Sequence, residues 1–397
     1  MPSSKRPLEN VDLLVVGAGP VGLLAALSAA RAGLSVQVLD HVFRGYGQGY
    51  ASLLHSSTLQ LLEDGGIADR LRAVGRSVER LEVAVPNAEK SVLELAAPAL
   101  AVSQATLEQV LADALRSQGV LVRAPYQAAT VEQNETHVDV RVLRRELVTV
   151  GSPAHYSEWE PVDSVVVRAR YVIGADGYES RVRSALGIDT VEVGRLETFA
   201  MFECVSGAED APVARLGFTG ELANVTYPLA GQRSRWGFQI EEELDSVPDE
   251  GRLKRLLAER APESAEDAVS VEWSTVIHFE RRLTRRFGKG RVWLAGDAAH
   301  VTSPLGGQSM NVGMSEAYDL VARVIRSLRG VGRTGLEDYG VAREREWHKL
   351  LGVNVSYELL PHAPPWLAGY IRRIVPALPA SGPALSELLE RIGVRLT

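Results

Sequence analysis

Cysteine is almost missing from this chain: Cys204 stands alone among 397 residues. One thiol excludes an intramolecular disulfide and any cysteine-based metal cluster, and it makes the reducing cell interior, the cytoplasm, the default compartment. Long apolar runs are missing too. Every stretch approaching membrane length is broken by glycine or charge, so no segment is expected to span a bilayer. Aromatic residues make up only 6%, and 43 Lys and Arg are outnumbered by 50 Asp and Glu. The net charge of −7 argues against nucleic acid as the main partner. There is no internal repeat and no low-complexity segment. What is plentiful is apolar residues (46%) and glycine (36), the composition of an ordinary soluble globular protein. The length points to two intimately joined domains.

The first glycines are ordered. A Val/Leu run from Val11 to Val16 leads into Gly17-Ala-Gly19-Pro20-Val-Gly22, and helix formers follow to Ala30. G-x-G-x-x-G between a strand and a helix opens a dinucleotide-binding fold. Gly17 permits the turn, Gly19 admits a pyrophosphate close to the backbone, and Gly22 lets the helix lie near the sheet. The phosphates then face a helix N-terminus, whose free N–H groups and dipole favour anions. Asp40 ends a second strand, Leu34 to Leu39, where a carboxylate can accept both hydroxyls of a ribose. A second copy, Gly330-Val-Gly332-Arg-Thr-Gly335, follows a helical pattern and is read as a loop. Lys5 and Arg6 before the apolar run also suggest a signal peptide, but the glycines and the next strand explain that segment better.

Helical spacing covers Ser57 to Gly75, and strands are expected at Val78 to Val85 and Ser91 to Leu95. Gln104 opens an amphipathic helix with Leu107, Val110, Leu111, Ala114 and Leu115 on one face. Val120 to Arg123 completes a second β–α–β-like crossover. From Thr130 to Tyr171 the apolar period falls to two, an antiparallel meander inserted in the nucleotide-binding domain. Residues 189 to about 290 again favour strands and read as a second domain. Helices are expected over Ser309 to Leu328 and Glu337 to Leu351. The tail from Tyr357, with Trp366, Arg372 and Arg373, reads as a segment packed over the second domain or as a surface for a membrane or partner subunit.

Two further motifs carry chemistry. Gly174-Ala-Asp176-Gly177 ends a buried strand; Asp176 can cap a turn or face a ligand, and Arg183 can pair with a phosphate. Gly296-Asp297-Ala-Ala-His300 ends another, and a loop from Pro304 through Gly306, Gly307 and Met310 to Asn311 feeds a long helix. Asp297 is placed to take ribose or ribityl hydroxyls, and the helix start presents partial positive charge to an anionic ring. His300 has no second ligand at metal spacing and is read as structural; no metal is expected.

In this order, with Gln104 between the first two, the three motifs resemble those of the FAD-dependent aromatic hydroxylases. These are the class A flavoprotein monooxygenases of the p-hydroxybenzoate hydroxylase type. The resemblance spans the chain and implies an α/β fold. A Rossmann-like FAD-binding domain (1–188 and 288–355) would carry an inserted β-sheet substrate domain (189–287) and a helical C-terminal part (356–397). It implies FAD as cofactor and NADPH or NADH as co-substrate. Gly17, Gly19, Pro20, Gly22 and Asp40 would form the ADP site, with Gln104 near the phosphates and ribityl chain. Asp176 would touch FAD and the nicotinamide donor. Asp297, Gly306, Gly307, Met310 and Asn311 would hold the flavin, with Pro304 beside its reactive edge. Where relatives carry arginines after the acidic residue, this chain has Tyr50 and Ser52, with Arg44 earlier. Ser303 replaces a common proline.

The implied reaction passes a hydride to FAD, forms a C4a-hydroperoxide with O₂, and transfers one oxygen to an electron-rich ring. The substrate class stays open among aromatic acids, polycyclic polyketides, quinones and quinolones, as do a homodimer and a peripheral membrane contact. Tyr227 and His278 are candidate bases for a phenol, each first read as a packed strand residue. A halogenase or reductase on the same scaffold is the alternative. Arg235-Trp236-Gly-Phe-Gln-Ile240 lacks the second Trp and the Pro of the halogenase signature. A carrier without redox activity is a third reading.

Overall fold

The computed structural model describes residues 10–42, 53–150, 156–206, 211–241, 247–264, 268–330, 334–353 and 355–396. Arg44, Tyr50 and Ser52 lie outside the described residues. The helices, numbered in chain order, are α1 (Pro20–Arg31), α2 (Ser56–Leu61), α3 (Ile67–Arg72), α4 (Gln104–Ser117), α5 (Arg181–Ala185), α6 (Glu250–Arg260), α7 (Gln308–Leu328), α8 (Thr334–Leu350), α9 (Leu367–Ile374) and α10 (Pro383–Arg391).

The strand Asn10–Val16 is buried along most of its length, which explains a Val/Leu run in place of an alternation. It pairs in parallel with Val36–Leu39 on one side and with the end of Tyr156–Gly174 on the other. Val122–Arg123 extends the layer beyond the first neighbour, and Val292–Leu294 beyond the second. α1 packs against α4 and α7. The buried face of α4 is the five-residue stripe read from its spacing. Tyr156–Gly174 is 19 residues long. Its last part belongs to the parallel layer, while its first part runs antiparallel to Val138–Val150, which pairs with Tyr126–Gln133. The expected meander is thus an extension of the first sheet.

The second sheet has the order Ala268–Phe279, Glu197–Ser206, Arg233–Ile240, Leu222–Leu229, Val213–Thr219, Arg76–Ala84, Ser91–Ala101, Leu53–Leu54. The sequence groups residues 53–101 with the first domain. Their strands pair in the second sheet instead, through Arg76–Ala84 lying parallel to Val213–Thr219. Alternation along the central strands gives the sheet two apolar faces. Phe202, Cys204, Trp236 and Phe238 face α6 and close a cluster with Leu253 and Leu257. Phe199, Met201, Val225 and Tyr227, one step out of phase, join the main core.

The tail packs on this sheet. Arg373 in α9 donates to the carbonyls of Gly220 (3.0 Å) and Glu221 (2.5 Å) and lies over the Phe218 ring. Gly330 sits beyond the end of α7 and Gly335 within α8, so the second glycine pattern lies between helices, with residues 331–333 outside those described. Among the described residues no helix is long and apolar enough to cross a membrane.

Candidate active site

The first motif is built by contact. Gly17 has φ +107°, and a Cβ there would stand 2.1 Å from the carbonyl oxygen of Ala175. The turn therefore rests on the backbone of the second motif. A Cβ on Gly22 would stand 2.0 Å from the Gly17 carbonyl, so α1 approaches the turn only because both residues are glycine. Gly19 caps α1 without a side-chain hydrogen bond, and Pro20 occupies the first turn. Asp40 is buried. Its Oδ2 accepts from Ala18 N–H at 2.7 Å and its Oδ1 from Val42 N–H at 3.1 Å, so it ties the strand end to the fingerprint loop.

Asp176 caps the start of α5, accepting from Ser180 Oγ and from the N–H groups of Arg181 and Val182. Burial raises its pKa, opposed by the Ser180 hydrogen bond. Arg183 donates to the carbonyls of Ala298 (2.9 Å) and Tyr178 (3.0 Å). It joins the second motif to the third, and its described partners are carbonyls.

The third motif turns at Gly296, φ +64°. Asp297 opens onto the cleft, while desolvation by the surrounding protein raises its pKa. Behind the turn, the buried Glu316 carboxylate of α7 accepts from Gly296 N–H, His300 Nε2 and Trp347 Nε1 at 2.9, 2.8 and 2.7 Å. His300 also stacks on Trp347. This is the structural role read from the sequence. The loop then reaches Gly307, left-handed at φ +65°, from which α7 starts with no side-chain cap. The amide of Asn311 is fully used: Oδ1 accepts from His55 N–H, and Nδ2 donates to the carbonyls of Leu53 and Gly307.

These motifs meet at a cleft of about 1160 Å³, open mouth included. Of the residues chosen from sequence, Gly19, Pro20, Gln104, Asp297, Pro304, Gly307 and Met310 line it. Gly17 and Asp176 line an adjoining recess with His41 and Tyr126, and Gly177 borders both. Gly22, Asp40, Gly306 and Asn311 line neither and act from behind. The opposite wall, unread from sequence, is Met201, Val225, Tyr227, Arg235 and Phe279 of the second sheet. Arg235 pairs with Glu203 at 2.5 Å. Of the two candidate bases, Tyr227 lines the cleft and His278 does not. The Tyr227 hydroxyl donates to the Leu305 carbonyl, and burial raises its pKa. His278 bonds Thr198 on an edge strand and does not line the cleft.

The path from Tyr126 past Gly17 and Gly177 to Pro304 suits an extended dinucleotide. Thr302 Oγ1 and Ser303 Oγ are buried in the cleft wall without a protein partner. Two uncapped helix starts and the open Asp297 carboxylate complete a donor and acceptor set for phosphates, ribityl hydroxyls and an anionic ring. The residues fit FAD. Comparison with known proteins agrees: residues 10–351 match the family described as FAD binding domain, and the chain belongs to that family. The aromatic compound monooxygenase YhjG of Bacillus subtilis (strain 168), itself described as uncharacterized, is 27% identical over 338 residues, covering 83% of this chain and 64% of the relative. The 6-methylpretetramide 4-monooxygenase of Streptomyces rimosus is 28% identical over 347 residues, covering 83% and 58%. This chain therefore spans about three fifths of the length of these relatives. The crystal structure of p-nitrophenol 4-monooxygenase PnpA from Pseudomonas putida DLL-E4 shares the fold, with TM-score 0.69, 22% identity and 86% of each chain covered.

Proposed function

We propose that the chain is an FAD-dependent monooxygenase, driven by NADH or NADPH, that inserts one oxygen atom into an aromatic or other electron-rich ring. The observation that carries this reading is one cleft with two unlike walls. Asp297 and the start of α7 stand on one side, and Met201, Val225 and Phe279 stand on the other. Bound FAD supplies hydride acceptance from the nicotinamide donor and activation of O₂. The chain supplies binding and environment. Gly17, Gly19, Pro20, Gly22 and Asp40 shape the ADP site, and Asp176 braces its neighbour. Gln104 and Asp297 would hold the linker, and Pro304, Gly306, Gly307, Met310 and Asn311 would form the loop that holds the ring. The first turn of α7 stabilises negative charge there. The apolar wall excludes water from the reacting atoms. Arg235 lines that wall as an ion pair with Glu203.

Relatives named as monooxygenases favour oxygen insertion over the halogenase or reductase alternative. The same names keep phenols and polyketide-like rings foremost among substrates, and the need for NADH or NADPH makes the cytoplasm the proposed place of action. The test is to mix purified protein with each nicotinamide donor, with and without a panel of phenols, quinones and polyketides, and follow flavin reduction. Substrate-stimulated oxidation and a product about 16 mass units heavier are expected for single oxygen insertion. An active protein that carries no flavin would end the reading.

A further inference from the structure

Three consecutive carbonyls of the loop under the proposed flavin site are each held by a donor. Pro304 O accepts from Gly307 N–H at 3.2 Å, and Leu305 O accepts from the Tyr227 hydroxyl of the second sheet. Gly306 O accepts from His55 Nε2 at 2.7 Å. The carbonyl has no proton to give, so Nε2 carries the hydrogen and Nδ1 is an acceptor. The Ser381 hydroxyl, 3.0 Å from Nδ1, donates to it, and Ser57 Oγ lies 2.9 Å from Ser381 Oγ and donates in turn. The chain Ser57, Ser381, His55, Gly306 therefore has one direction and fixes one tautomer.

Residues 375–381 reach the same loop by two other routes. Gln308 Nε2 donates to the carbonyls of Leu378 (2.8 Å) and Ala380 (2.9 Å). A Cβ on Gly306 would stand 2.4 Å from the Pro376 carbonyl, so this C-terminal strap lies flush against the loop. His55 itself is 0% exposed, and burial pushes its pKa down to about 4. An apolar ring of that size would fill the space without a desolvation penalty. The imidazole differs from such a ring in having two directional nitrogens, one for the loop and one for the strap.

We propose that His55, held in one tautomer by Ser381, is a positioning residue for the cofactor site. It fixes the peptide plane between Gly306 and Gly307, and with it the left-handed turn from which α7 begins. The C-terminal strap thereby belongs to the cofactor site although residues 375–381 do not line the cleft. This inference rests on the FAD reading above.

The test is FAD titration of the apoprotein, read by the visible absorption of bound flavin, alongside the melting temperature of the apoprotein. Wild type, His55→Phe, His55→Gln and Ser381→Ala are compared. His55→Phe strips hydrogen bonds from two buried partners and is expected to weaken FAD binding about tenfold to a hundredfold, with displaced flavin bands. His55→Gln, whose amide can still donate to Gly306 O, is expected within about threefold of wild type. Ser381→Ala should fall between them with little change in apoprotein melting. Should His55→Phe fail to fold, the Gln and Ala variants decide. Wild-type affinity and bands in every folded variant overturn the inference. So does equal weakening in the Phe and Gln variants with Ser381→Ala silent, which would make shape the cause. Wild-type protein that binds no FAD removes the functional reading itself; wild-type binding with indifferent variants removes only this inference.

Discussion

His55 is enclosed completely and uses both ring nitrogens, so the stability of the fold depends on pH through it. Its pKa falls from 6.5 to about 4 on folding because burial disfavours the charged ring, with the Gly306 hydrogen bond opposing. Between those values the unfolded chain binds a proton that the folded chain refuses. The contribution is fully present above pH 6.5, declines as pH falls, and is gone below about 4, a total of about 3 kcal/mol. Urea unfolding at pH 7 and at pH 4.5 should show wild type losing about 2 kcal/mol more than His55→Gln. Equal losses would mean that His55 is not buried as a neutral ring. Asp297 makes the opposite case, a carboxylate open to the cleft with a pKa raised by desolvation. Asp297→Ala should weaken FAD binding at least about tenfold and leave apoprotein melting nearly unchanged. Undiminished binding would show that the third motif was misassigned. Asp297 was legible in the sequence because its signal is local: a strand end, an acid, then a Pro/Gly loop. His55 was not, since its partner Ser381 lies 326 residues away.

At the scale of elements, close approach decides which glycines matter. A Cβ on Gly313 in α7 would stand 2.8 Å from the Cα of Gly296, whereas one on Gly369 in α9 would meet nothing within 4 Å. Gly313→Ala should push α7 off the turn that carries Asp297, costing about 1–3 kcal/mol of stability and weakening FAD binding. Gly369→Ala should stabilise the protein by about 0.5–1 kcal/mol, through helix propensity alone. Chemical denaturation of the two variants checks both signs, and a harmless Gly313→Ala would contradict the observed contact. The face of α4 and the turn at Gly17 were readable because 3.6-residue periodicity and glycine spacing act over short distances. The pairing of Arg76–Ala84 with Val213–Thr219 was hidden, because alternation shows that a strand has a buried face and not which strand lies beside it. The substrate wall was unread for the same reason: Met201, Val225 and Phe279 converge from three separate strands.

Across the whole molecule the chain passes repeatedly between its two eight-stranded sheets. Residues 10–39 build the first, 53–101 the second, 122–174 the first again, 197–279 the second, and 288–294 close the first. Neither sheet is a continuous stretch of sequence that could complete itself. The loop at Pro304 to Gly307 then takes holds from both sides: Tyr227 from the second sheet, and His55 with the C-terminal strap from behind. Unfolding either sheet therefore removes partners from the other and from the loop between them. A single cooperative transition is expected in calorimetry of the apoprotein. FAD touching elements of both sheets should raise that transition as a unit, by about 2.7 kcal/mol at a free concentration one hundred times Kd. Two transitions, with FAD moving only one, would instead show a nucleotide-binding part that folds alone. The interleaved topology argues against that outcome, because a nucleotide-binding part isolated from residues 53–101 would lose His55, and with it the hold on the Gly306 carbonyl.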